Sequence, residues 1–164
     1  MLKEINADKI EPSPMPVGIV ASEYNELFVQ GMLDGAMTVL LESGMLEEAI
    51  HLVRVPGAYE IPLITSKMCH SRHPRFGAII CLGVVIQGET QHARLITEAA
   101  THEITRQQAQ FGIPIIHEIL LVESEDQARK RCLDPVHNRG AEAAQTALKM
   151  ARLSHKINQD YLLE

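Results

Sequence analysis

The residues best suited to chemistry in this chain cluster in Gly83 to Ile96, read as G-V-V-I-Q-G-E-T-Q-H-A-R-L-I. His92 can carry protons near neutral pH, and it stands two residues beyond Thr90. An apolar strand, Phe76 to Leu82, leads into the stretch, and Leu95, Ile96, Ala99 and Ile104 recur at roughly helical spacing after it. Gly88-Glu89-Thr90 is therefore expected where a strand turns into a helix. Such a turn gathers free backbone N–H groups and the positive end of a helix dipole, which together favour an anion. An anion seat beside a proton carrier is the chemistry this spacing predicts.

Other residues are candidates by type and place. Tyr24 opens the helix after the first strand, where an aromatic either joins the core or stacks on a planar ligand. Glu60, in P-G-A-Y-E-I-P, is either a site carboxylate or an acid complementing a helix N-terminus. Arg131 and Arg139 read as solvated charges unless an anion needs them, and Glu125 and Asp126 as solvated charges only. His70, His73 and His137 do not form a metal-ligand array with one another, so no metal is assigned.

The elements that must position these groups can be taken in chain order. Residues 1–16 hold Pro12, Pro14 and Pro16 at alternate positions and predict an extended arm, either frayed or lying along another subunit's sheet. Val17 to Ser22 is a short apolar strand, followed by a helix from about Tyr24-Asn25 that stops at Gly44. Ala49 to Val55 is a second strand, and a helix from about Ala58 to Cys69 follows Pro56-Gly57. After the third strand and the Gly88 turn, a long helix ends at Gly112, and Pro114 to Val122 is the fourth strand. Ser124 and Gln127 form a capping box for a short helix through Arg131. A final helix runs from about Arg139 to Tyr161, with Ala143, Ala147, Met150, Ala151 and Leu153 on its inner stripe. Strands alternating with helices over crossover-length connections call for an α/β doubly wound domain with a four-stranded parallel sheet covered on both faces. Residues 17–164 are expected to form that one domain. Ligands in such folds sit outside the carboxyl ends of the strands, and every candidate above lies on or near the loops leaving those ends.

Composition narrows the class. At 164 residues the chain can build one domain with a real core. Apolar residues at 46% and charged residues at 22% suit a soluble globular protein. A net charge of −6 argues against nucleic-acid binding, which needs a basic face. Neither a signal peptide nor an apolar run of membrane length is read. Cys69, Cys81 and Cys132 are odd in number and lack metal-type spacing, so they read as buried, reduced thiols of a cytoplasmic protein.

With these pieces laid out, the chain closely resembles the lumazine synthases, enzymes of the penultimate step of riboflavin biosynthesis. Four ordered blocks carry the resemblance: V-P-G-A-Y-E-I-P at Val55 to Pro62, G-V-V-I-Q-G-E-T-Q-H at Gly83 to His92, E-S-E-D-Q-A-R-K-R at Glu123 to Arg131, and N-R-G-A-E-A-A at Asn138 to Ala144. The resemblance implies a flavodoxin-like three-layer sandwich and a transferase needing neither cofactor nor metal. It condenses 5-amino-6-(D-ribitylamino)uracil with 3,4-dihydroxy-2-butanone 4-phosphate to 6,7-dimethyl-8-ribityllumazine. By the same resemblance Tyr24, with Asn25 beside it, stacks on the pyrimidinedione ring, whose edge is bonded by backbone groups of Val84, Val85 and Ile86. Gly57, Ala58 and Glu60 hold the ribityl chain. Gly88, Glu89 and Thr90 offer amides to the phosphate, Arg131 of the next subunit closes on it, and His92 transfers protons. His117 and Arg139 also fall at substrate-binding positions.

Several residues depart from the family pattern. Glu23 and Gln87 stand where Arg is frequent, Val84 replaces a common Thr, and Ala93-Arg94 follows His92 where an aromatic and an acid are usual. His117 takes the place of a Phe that covers the neighbouring subunit's ring, and Arg139 replaces Lys. These departures keep open a non-catalytic relative that binds a flavin or lumazine or serves as a shell protein. A flavodoxin-like domain binding a mononucleotide rests on fold analogy alone. The resemblance also implies pentamers with the active site between subunits. The Arg131 to Gly140 loop lacks an insertion common in pentamer-only relatives, which slightly favours a sixty-chain shell of twelve pentamers. No nucleic acid or membrane partner is expected.

Overall fold

The computed structural model describes residues 9–162. Four strands, β1 (Val17–Ser22), β2 (Ile50–Val55), β3 (Ala78–Ile86) and β4 (Ile115–Val122), form one sheet in the order β2-β1-β3-β4. All neighbours pair in parallel, with Ser22 opposite Val55 and Ile86 opposite Val122 at the carboxyl ends. Five α-helices cover it: α1 (Glu26–Glu42), α2 (Ile61–Cys69), α3 (His92–Phe111), α4 (Glu125–Cys132) and α5 (Arg139–Ile157).

Parallel strands buried on both faces read as continuous apolar runs, and β1, V-G-I-V-A-S, is buried throughout. Successive side chains divide between two cores. Val17, Ile19, Ala21, Ile80 and Leu82 face α1, α4 and α5. Val20, Ile79, Cys81, Ile115 and Ile119 face α2 and α3. These are the three layers predicted, with a four-stranded sheet in the middle. On the first face α5 presents Ala143, Ala147 and Ala151 to α1. Gly140 makes the closest approach there: a Cβ on it would lie 1.8 Å from the Met32 carbonyl oxygen. Asn138 caps α5 by accepting from the Ala141 amide at 3.0 Å, while its own amide donates to Gly31 O (2.9 Å) and Cys132 O (2.7 Å). One side chain thus ties α1, α4 and α5 together.

Several boundaries differ from the sequence reading. β3 begins at Ala78 and continues through Gly83, paired with Ile119, to Ile86; a Cβ on Gly83 would lie 3.3 Å from Ile61 and 3.4 Å from Ile119. The helix expected from Ala58 starts as a 3-10 turn, Ala58–Glu60, before α2 takes over with Pro62 in its first turn. α5 stops at Ile157 and widens into a π turn, Asn158–Leu162. The Ser124 cap forms, its hydroxyl accepting from Gln127 N at 3.3 Å, but the return bond runs from Glu123 N to Gln127 Oε1 (2.9 Å) instead of from Ser124 N.

Of the expected arm, residues 1–8 lie outside the described residues. The part from 9 to 16 follows its own chain. Arg152 of α5 reaches Lys9 O and Glu11, and Gly77 N donates to Pro16 O at 2.8 Å.

Candidate active site

A cleft of ≈ 1000 Å³ opens over the carboxyl ends of β1, β2 and β3. From the β1–α1 loop come Tyr24 and Asn25, from the loop after β2 come Pro56 to Glu60, and the end of β3 supplies Val84, Val85 and Ile86. Gly88, Thr90 and His92 lead from β3 into α3 and complete the wall.

Local bonds explain why these loops converge. The β1–β2 ladder continues past the strands, since Glu23 N donates to Val55 O (2.7 Å) and Tyr24 N to Pro56 O (3.1 Å). Asn25 adopts a left-handed conformation (φ 56°), which Asn tolerates better than most residues. Its side-chain amide donates to Val84 O at 2.8 Å, joining the first loop to β3. Tyr24 is 73% exposed, so its ring is spent on no core contact and is free to stack on a ligand. Glu60 folds back over Gly57, where a Cβ would lie 3.0 Å from Glu60 Oε2.

The turn after β3 is held by one side chain. Gln87 Nε2 donates to Gly88 O and to Thr90 O, each at 2.8 Å. The backbone amides of Gly88, Glu89 and Thr90 have no acceptor among the described residues. They stand just ahead of α3, whose first residue is His92 and whose N-cap, Gln91, makes no side-chain cap. Unpaired amides at the head of a twenty-residue helix suit an anion.

Of the residues predicted from sequence, the cleft brings together Tyr24, Asn25, Gly57, Ala58, Glu60, Val84, Val85, Ile86, Gly88, Thr90 and His92. Glu89 is exposed beside it but does not line it. His117, Arg131 and Arg139 do not line it either. The His117 ring shares a 2.9 Å hydrogen bond with Thr101 of α3, and burial pushes its pKa down. Arg131 is exposed on the last turn of α4. Arg139 donates side-on to the buried Glu118 (3.0 and 2.8 Å) and also pairs with Glu142. Burial pushes Glu118 upward, and Arg139 draws it back down. Pro56, Tyr59, Ala93, Leu95 and Ile96 line the cleft without having been predicted. A signal for two of them was present: Leu95 and Ile96 follow His92 at i+3 and i+4, on the same helix face.

A parallel α/β sandwich with a ligand cleft at the carboxyl ends of its strands, an imidazole on the rim and free amides beside it defines a small-molecule enzyme of the flavodoxin-like architecture. Comparison with known proteins narrows this. Residues 14–155 match the family described as 6,7-dimethyl-8-ribityllumazine synthase. The chain is also 36% identical over 143 residues to the 6,7-dimethyl-8-ribityllumazine synthase of Syntrophus aciditrophicus (strain SB), covering 87% of this chain and 92% of that protein. The chain belongs to the 6,7-dimethyl-8-ribityllumazine synthase family.

Proposed function

We propose that this enzyme condenses 5-amino-6-(D-ribitylamino)uracil with 3,4-dihydroxy-2-butanone 4-phosphate to give 6,7-dimethyl-8-ribityllumazine, the step before the last in riboflavin biosynthesis. The family match supports the reaction. The observation that carries the site assignment is the convergence of Tyr24, Glu60, the end of β3, the Gly88–Thr90 turn and His92 on one cleft. Tyr24 stacks on the pyrimidinedione, the Val84–Ile86 backbone reads its edge, and Gly57, Ala58 and Glu60 take the ribityl hydroxyls. The turn amides hold the phosphate. Holding two substrates in register can contribute roughly 7–11 kcal/mol in well-oriented systems. His92 adds proton transfer as the amine joins the ketone and as phosphate leaves.

His117, Arg131 and Arg139 lie off this cleft in their own chain, which fits their serving a neighbouring subunit's site. The assembly we propose is accordingly a pentamer or a shell of twelve pentamers, with 17–164 as the domain and 1–16 as an arm. Three buried, unpaired cysteines suit a cytoplasmic protein, and none of the described helices is long and apolar enough to cross a membrane. Incubation with both substrates tests the reaction: lumazine fluorescence should grow with time. Tight binding of flavin or lumazine with no product would instead make the chain a non-catalytic binder.

A further inference from the structure

The half-buried Gln87 closes β3 and holds the turn that follows it. Its amide nitrogen spends both N–H groups on that turn, one on the Gly88 carbonyl and one on the Thr90 carbonyl. A trans peptide is planar, with its C=O and N–H pointing in opposite directions. Fixing Gly88 O therefore fixes the Glu89 N–H on the far side of that peptide plane, and fixing Thr90 O does the same for the Gln91 N–H. Two amide donors at the head of α3 are thereby aimed by a side chain that need not touch any ligand. The rest of the turn has little else to hold it. Gly88, Glu89 and Thr90 are exposed, a Cβ on Gly88 would meet nothing within 4 Å, and the Thr90 hydroxyl only accepts a long 3.4 Å bond from His92 N.

We infer that Gln87 is a positioning residue for the phosphate of the substrate, aiming the Glu89 amide of that seat and the Gln91 amide beside it by clamping two carbonyls of the same loop. This rests on the reading of Gly88–Thr90 as the phosphate seat. A cation at position 87 would attract phosphate by its charge, whereas the glutamine acts through backbone orientation. Its effect should therefore depend on donated hydrogen bonds and little on salt.

The test compares Gln87→Leu with wild type in steady-state kinetics, varying each substrate in turn, together with inhibition by inorganic phosphate. Losing two bonds worth about a factor of five each should raise KM for the butanone phosphate roughly twentyfold. The phosphate inhibition constant should rise in parallel, with KM for the uracil within about twofold. Gln87→Ala carries the same expectation as the leucine variant and introduces no bulk, should Gln87→Leu fail to fold. An unchanged KM for the phosphorylated substrate, or equal rises for both substrates, overturns the inference while leaving the reaction standing. A wild-type protein that forms no lumazine overturns the reaction and the inference together.

Discussion

His92 is the first residue of α3 and faces the cleft that Tyr24 and Glu60 share. General acid–base help is typically worth ~10²–10⁴-fold, and the larger share of the rate comes from juxtaposition. His92→Ala should therefore slow turnover by that order and leave measurable lumazine formation; indifference to the change would remove the imidazole from the mechanism. Arg131 is exposed and lies off its own chain's cleft. Arg131→Ala should raise KM for the phosphorylated substrate and spare KM for the uracil, because a guanidinium from a neighbour would meet only the anion. Equal changes in both would sink its phosphate role. Much of this site could be read from sequence because its residues sit in short, ordered blocks around Pro56 and Gly88. Pro56 and Ala93 could not, since they enter the wall through chain geometry and carry no chemistry of their own. The pairing of Arg139 with Glu118, 21 positions away, was equally hidden. It follows from β4 and α5 packing side by side.

At the scale of elements, strands and helices were legible because their apolar periods differ, and β1 falls at the predicted residues. The end of β3 was not, since a glycine inside a strand normally signals a bulge or a stop. Gly83 nonetheless pairs with Ile119 in the ladder, where a Cβ would press on Ile61. The junction of α1, α4 and α5 depends on Asn138. Its replacement by alanine removes the cap of α5 and strips two carbonyls of their donor. Asn138→Ala should cost about 2–4 kcal/mol, measurable as a lowered denaturant midpoint. On α3, Glu103 is held down to about 2 by hydrogen bonds from Arg106 and Gln107. A carboxyl depressed on folding adds stability above its ordinary value of 4.5 and loses it as pH falls toward 2. Both side chains face solvent, which screens the pair, so the effect is small. Glu103→Gln should lower the Tm slightly at pH 7, and the gap should narrow as pH falls below 4.5 and close only near pH 2; a gap that does not narrow over that range would assign the loss to something other than charge.

The whole molecule leaves large apolar side chains in water: Tyr24, Tyr59 and Leu95 of the cleft, and Leu27 and Leu63, are each more than half exposed. Exposed apolar groups at a cleft suit an interface, in keeping with the proposed site between subunits. Light scattering should therefore give a mass of five or sixty chains of 18.2 kDa, and a monomer at working concentration would contradict the assembly. The fold also dictates an order of events during synthesis. On one face of the sheet the chief partner of α1 is α5, so the first helix packs on the last. A nascent chain on the ribosome holds the α5-facing sides of α1, β3 and β4 open to water until Gly140 and the alanines behind it have emerged. For most of translation this protein is a half-covered sheet, and any premature stop before residue 139 releases a sticky fragment instead of a smaller enzyme.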